Sequence, residues 1–161
     1  MMNAVEELRF LIFAAQREGS RALAGALRPL GLTTSQAEVL SVLRDHGSLS
    51  LITLGDLLIC ETGSPSRLVQ GLVDDGLVEK TSSPDDKRMV TLSLTENGRE
   101  KAERINALEN RFYELNAGLL NGAPIQEILA FLWRYVDGKP AGMALARRKK
   151  HKNDKTAVNE E

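Results

Sequence analysis

The stretch from Thr62 to Leu94, TGSPSRLVQGLVDDGLVEKTSSPDDKRMVTLSL, permits few folds because its apolar period changes partway along. Leu68, Val69, Leu72 and Val73 recur at three- and four-residue spacing, the period of a helix that buries one face. Gly63, Arg67, Gln70 and Asp74 fall on the other face. Pro65 sits in the first turn, where a missing N–H costs nothing, and Ser64 before it is a candidate N-cap. Gly76 stands where a helix ends in a left-handed residue, and LVEKT then carries β-forming side chains. After SSPDDKR, Val90, Leu92 and Leu94 alternate with Met89, Thr91 and Ser93, the period of a half-buried strand. The stretch reads as a helix followed by a β-hairpin.

Upstream, TLGDLLI over Thr53 to Ile59 predicts a second short helix, with Thr53 as N-cap and Asp56 three residues on. Two short helices joined by a turn at Glu61 to Ser64 make a helix-turn-helix, whose second member suits a DNA major groove. With the hairpin added, the unit is a winged helix. Ser48 to Leu51 supplies its short third strand.

Helices flank this unit. Asn3 and Glu6 open the first, in which Val5, Leu8, Ile12, Ala15, Leu23, Leu27 and Leu30 keep one apolar face until Pro29 and Gly31. Thr33 and Gln36 form a capping-box pair ahead of Ala37, Leu40 and Leu43, and His46 and Gly47 close that helix, with His46 read as a cap on the last carbonyls. Thr95 starts a long helix carrying Ala102, Ile105, Leu108, Phe112, Leu115 and Leu119, which ends near Gly118 and Gly122. Pro124 suits the first turn of the next helix, with Ile125, Ile128, Leu129, Leu132 and Val136 in a stripe broken by Gly138 and Pro140. These terminal helices present more apolar surface than so small a core covers, which argues for burial against a second copy; the alternative is an ordinary core helix. The expected fold is mostly α with a small antiparallel β-wing: a single domain over 1–146, comprising a winged helix-turn-helix lobe over 34–94 flanked by N- and C-terminal dimerisation helices over 1–33 and 95–146. From Arg147 the chain, RRKKHKNDKTAVNEE, has no apolar period, and 147–161 is expected to be a basic, disordered tail.

The run DDKRMVTLSLTENG fits the pattern Asp-x-Arg, alternating strand, Leu-Thr-x-x-Gly, and GLTTSQAEVLSVL and SRLVQGLVDDGLVEK precede it in order. Together they resemble the multiple-antibiotic-resistance regulator (MarR) family of bacterial transcription factors, over about Val5 to Val136. The resemblance implies a sequence-specific regulator, expected to be a repressor, that binds a palindromic operator in double-stranded DNA as a homodimer. It also implies release by a small aromatic effector held between the dimer helices and the lobe, although no residue here singles out a ligand. The expected DNA contacts are Thr62, Ser64, Ser66, Arg67 and Gln70 around the recognition helix, and Ser83, Lys87 and Arg88 in the wing. Arg88 suits a narrow minor groove, and Asp86 two residues earlier braces its guanidinium, the roles the resemblance assigns to Asp-x-Arg. The plainer alternative is a surface ion pair that only stiffens the turn.

Charge distribution tempers this reading. The chain carries −1 overall, and residues 34–94 hold five basic against nine acidic side chains, a balance of −4 that disfavours strong nonspecific DNA binding. Residues 147–161 hold six against three, a balance of +3, so a basic tail on phosphate and a solvated tail are both open. A winged-helix protein-interaction module without sequence-specific DNA binding is the alternative the acidic lobe suits. The single cysteine, Cys60, excludes an intramolecular disulfide or a CxxC pair, and its neighbours Leu57, Leu58, Ile59 and Glu61 suit a structural thiol better than an oxidant sensor. With two histidines, no glycine-rich phosphate loop and no metal-ligand spacing, no enzyme, metal or cofactor is expected. No apolar run is long enough for a bilayer and no leader pattern opens the chain, so a cytoplasmic protein without a membrane partner is expected.

Overall fold

The computed structural model describes residues 2–60, 64–82 and 90–159. Helix α1 (Ala4–Leu27) begins where Asn3 accepts from the Glu6 N–H, and a single 3-10 turn (Arg28–Leu30) carries it to Gly31 in the left-handed region. Helix α2 (Thr34–His46) opens on the reciprocal capping box of Thr33 and Gln36, both hydrogen bonds being present. Strand β1 (Leu49–Ser50) leads into α3 (Leu51–Gly55), and α4 (Pro65–Asp74) precedes the hairpin of β2 (Val78–Ser82) and β3 (Val90–Leu94). Helix α5 (Glu96–Asn116), capped by Thr95, then leads through a 3-10 turn to α6 (Ile125–Val136) and α7 (Pro140–Asn159).

The sheet is antiparallel in the order β1-β3-β2, with Val78 opposite Leu94, Ser82 opposite Val90 and Leu49 opposite Leu92. The alternation read in β3 holds: Leu92 and Leu94 are buried. They meet Leu40, Leu43, Leu54, Val69 and Leu72 in one core, which the end of α1 (Leu27) and the first half of α5 (Ala102, Ile105) complete. Arg44 donates to the Ala102 carbonyl at 3.3 Å and fastens α5 to α2, and Lys101 donates to the Leu30 carbonyl and ties α5 to the end of α1.

Away from the lobe the long helices are bare. Val5, Leu11 and Phe13 on α1, Leu115 on α5, Leu119 just beyond it, and Leu129 and Leu132 on α6 all lie open to solvent in the single chain.

Four expectations need correction. Helix α3 starts at Leu51 rather than Thr53 and ends at Gly55, because Ser50 is the N-cap: its Oγ accepts from the Thr53 N–H at 3.1 Å and pairs with Thr53 Oγ1 at 2.9 Å. Pro124 stands at the N-cap of α6, one place before the first turn. His46 ends α2 as expected, but its ring stacks on His151 at 3.9 Å between centroids, and the last turn is closed by the Gly47 N–H on the Leu43 carbonyl. The tail expected to be disordered is helical: α7 runs through it to Asn159. Its start is compact because Gly138 takes φ +66 and Gly142 lies where a Cβ would meet the Val136 carbonyl oxygen at 2.1 Å.

Candidate nucleic-acid interface

Helix α4 is anchored by Val69 and Leu72, both fully buried, with Leu68 and Val73 packed against the same core. That fixes its rotation and leaves Ser66, Arg67, Gln70 and Asp74 exposed along the opposite side. The Ser64 Oγ accepts from the Arg67 N–H at 3.4 Å and pairs with Ser66 Oγ at 2.9 Å, so the expected N-cap is in place and the two hydroxyls meet at the helix start. The free N–H groups and hydroxyls there suit a phosphate oxygen.

Gln70 is held at both ends of its amide. Its Nε2 donates to Asp74 Oδ1 at 2.8 Å, and Lys80 on β2 donates to its Oε1. Asp74, which looks ill placed on a DNA-facing helix, thus orients a neighbouring amide. Arg67 carries no such tether in its side chain among the described residues. The expected contacts Ser64, Ser66, Arg67 and Gln70 therefore share one exposed face. Thr62, Ser83, Asp86, Lys87 and Arg88 lie outside the described residues.

The elbow between α3 and α4 is pinned from behind. Glu38 on α2 accepts from the Ile59 N–H at 2.8 Å and from the Cys60 N–H at 2.9 Å, one carboxylate oxygen each, and Arg148 of α7 donates to the same carboxylate at 2.8 Å. Burial first, and then Glu38 nearby, push the Cys60 thiol up to about 11, which keeps it protonated and a poor nucleophile at neutral pH. Lys80, Glu38 and Arg148 were not singled out by sequence reasoning. No local signal pairs the last two: Glu38 and Arg148 lie far apart in the chain, and Lys155, seven residues on, reaches only the main-chain carbonyl of Asp45.

A helix presenting polar side chains outward, capped by serine and followed by a two-stranded wing, matches the winged helix DNA-binding domain model over residues 32–98. The organic hydroperoxide resistance transcriptional regulator of Bacillus subtilis is 31% identical over 104 residues, 63% of this chain and 71% of the relative. The multiple antibiotic resistance protein MarR of Salmonella typhimurium is 31% identical over 98 residues, 61% of this chain and 68% of the relative. The chain belongs to the MarR family. A solved mutant MarR from E. coli, complexed with operator DNA, superposes with a TM-score of 0.68 at 28% identity, covering 85% of this chain and 98% of that one. The protein is accordingly a DNA-binding transcriptional regulator of the MarR family and not an enzyme. Among the described residues no helix is long and apolar enough to cross a membrane.

Proposed function

We propose that this MarR-family protein is a dimeric repressor that reads a palindromic operator through α4 and grips the adjacent backbone and minor groove through its wing. The observation that carries the reading is the exposed row Ser66, Arg67 and Gln70 on a helix whose other face is locked into the core. Arg67 suits the O6 and N7 acceptors of guanine and Gln70 the N6 and N7 edge of adenine. Ser64 and Ser66 at the helix start suit phosphate, as do Thr62, Ser83 and Lys87, with Arg88 in the minor groove braced by Asp86. The bare apolar faces of α1, α5 and α6 support a homodimer in which two recognition helices lie about 34 Å apart on one side of the duplex. Repression needs only occupancy of an operator that overlaps a promoter, whereas activation needs a further docking surface.

An effector site is supported by an open cleft of about 520 Å3 between the α3–α4 elbow and the start of α7. Apolar Leu58, Pro65 and Met143 line it with the cations Lys139 and Arg147 and the Asp56 carboxylate 3.8 Å from Arg147, which leaves a net positive, apolar cleft suited to a small aromatic carboxylate. A ligand there would act by favouring a dimer with wrongly spaced recognition helices, and linkage then requires DNA to weaken ligand binding equally. A DNA-bound regulator of this kind resides with the chromosome, in the cytoplasm.

Selection of bound sequences from random double-stranded DNA tests the reading. An inverted repeat should emerge, and Gln70→Ala should relax one position of each half-site at a cost of about 1–3 kcal/mol. Recovery of no motif, with binding no stronger than to random DNA, would favour the protein-interaction module instead. A panel of aromatic acids including salicylate should lower operator affinity; a panel without effect on binding or melting would remove the ligand-gated part.

A further inference from the structure

We propose that α7 is a strap that positions the helix-turn-helix elbow, with Arg148 as a positioning residue for DNA binding that acts through Glu38. The inference rests on the reading of α4 as the DNA-reading helix and adds an element outside the winged-helix lobe to its control.

The strap is built along one face of α7. Ala144 is buried, Arg147 donates to the Asp56 carbonyl at 3.0 Å, Arg148 to the Glu38 carboxylate at 2.8 Å, and His151 Nε2 pairs with the Asp45 carbonyl at 2.9 Å. Residues 144, 147, 148 and 151 recur at the spacing that keeps a helix face in register with its neighbour. The basic side chains that would otherwise be candidates for DNA phosphate are thus partly committed to α2 and α3.

Glu38 transmits the strap to the elbow. Its carboxylate takes the N–H groups of two successive residues, Ile59 and Cys60, where the chain leaves α3, and Ser64 caps the recognition helix only four residues beyond Cys60. The carboxylate is mostly buried, its side chain 14% exposed, and the Arg148 side chain is 24% exposed, so the pair is screened less than a surface bridge. Three donors around one carboxylate are held together by its charge. Without Arg148 the partly buried charge loses its counter-ion, and turning toward water releases the two N–H groups that fix the elbow. The recognition helix then starts from a looser point, and base-edge contacts tolerate little displacement.

The test uses the full-length protein and the operator selected with it. Arg148→Ala, Arg148→Lys, Glu38→Gln and the double variant Glu38→Gln with Arg148→Ala are compared for operator affinity, salt dependence and amide hydrogen exchange at Ile59 and Cys60. Arg148→Ala should weaken operator binding roughly tenfold, equivalent to about 1.4 kcal/mol, and speed exchange at both amides. Arg148→Lys should recover most of the affinity, since an ammonium also meets the carboxylate. In the Glu38→Gln background, Arg148→Ala should add less than about twofold, because the two residues form one path. The salt slope of Arg148→Ala should equal that of the parent. Unchanged exchange at Ile59 and Cys60 overturns the proposal. So does a loss that persists undiminished in the Glu38→Gln background with a shallower salt slope, the signature of direct phosphate contact. If exchange rises as expected but the wild-type protein binds no selected DNA, the strap stands and the operator-binding reading fails.

Discussion

Gly98→Ala isolates why the chain carries glycine at the end of Leu-Thr-x-x-Gly. At Gly98 in the first turn of α5, an added Cβ would lie 1.9 Å from the Leu77 carbonyl oxygen and 2.9 Å from its carbon. An ordinary carbon–oxygen contact is about 3.3 Å, so the two backbones must part by roughly 1.4 Å. No flexible side chain can yield, since the obstacle is main chain that is itself bonded. The Thr95 N–H donates to that same oxygen at 3.1 Å, and Thr95 Oγ1 donates to the Gly76 carbonyl at 2.7 Å. Overpacking costs about 1–3 kcal/mol and each hydrogen bond lost adds about 1 kcal/mol, giving roughly 3–5 kcal/mol in all. Urea denaturation at one fixed protein concentration, which a dimer requires, should show the midpoint falling by about 2 M for a slope near 2 kcal/mol/M. Gly71→Ala is the internal control: it lies in α4 with no atom within 4 Å of its added Cβ, and should stabilise by about 0.5–1 kcal/mol. A Gly98→Ala protein within about 0.5 kcal/mol of the parent would refute the close-approach argument.

Three shorter predictions follow from other sites. His46 is held below the ordinary imidazole value by burial first, then by His151, Lys155 and Arg148, with Asp45 opposing. Folding therefore favours its neutral form, so its contribution to stability is present above pH 6.5 and is lost as pH falls through the lower folded value. Melting temperatures from pH 7.5 to 5 should fall less in His46→Gln than in the parent, and an identical fall would disprove the linkage. With the Cys60 thiol at about 11, alkylation at neutral pH should be slow and peroxide should leave operator binding unchanged; rapid neutral-pH labelling would restore a sensor role. Light scattering should report about twice the 17.7 kDa chain mass, and Leu129→Glu on the bare face of α6 should yield a folded monomer. A Leu129→Glu dimer would move the interface elsewhere.

Much of the fold was legible because its signals are local. The capping box of Thr33 and Gln36, the caps Asn3, Ser64 and Thr95, and the alternation through Leu92 and Leu94 each depend on neighbours within four residues. The start of α3 was misread within one hydrogen-bonded pair: Ser50 and Thr53 are both hydroxyls and bond to each other, so the downstream member looked like the cap. Helix α7 was illegible for a different reason. Its buried side has Ala144 and then Arg148 and His151, matched to a carboxylate and a carbonyl on α2, so a search for apolar periodicity finds nothing. Gly98 shows the intermediate case, a motif visible in sequence whose cause, the Leu77 carbonyl, lies across the fold.

The charge balance, which counted against DNA binding, changes meaning once its partners are placed. Of the acidic side chains in the lobe, Glu38 meets Arg148, Asp45 meets Arg44 at 2.7 Å, Asp56 lies 3.8 Å from Arg147, and Asp74 holds Gln70. Part of the −4 of the lobe is therefore answered by the +3 of the C-terminal segment across the back of α2 and α3, away from the exposed row on α4. Electrostatic attraction to the duplex then falls to few groups, and we expect Arg67 at a base edge, Lys87 on the backbone and Arg88 in the minor groove to supply it, six cations in a dimer. Counter-ion release by about six cations set against the duplex predicts a slope of log affinity against log salt near −5. Arg88→Ala removes two of the six, so the slope should flatten by about 2 while affinity drops at least tenfold and melting hardly changes. Replacing Lys149 and Lys150, exposed on α7, by alanine should leave the slope where it was. If that double variant flattens the slope and Arg88→Ala does not, the C-terminal helix rather than the wing carries the phosphate contacts, and the division of charge between the two faces is wrong.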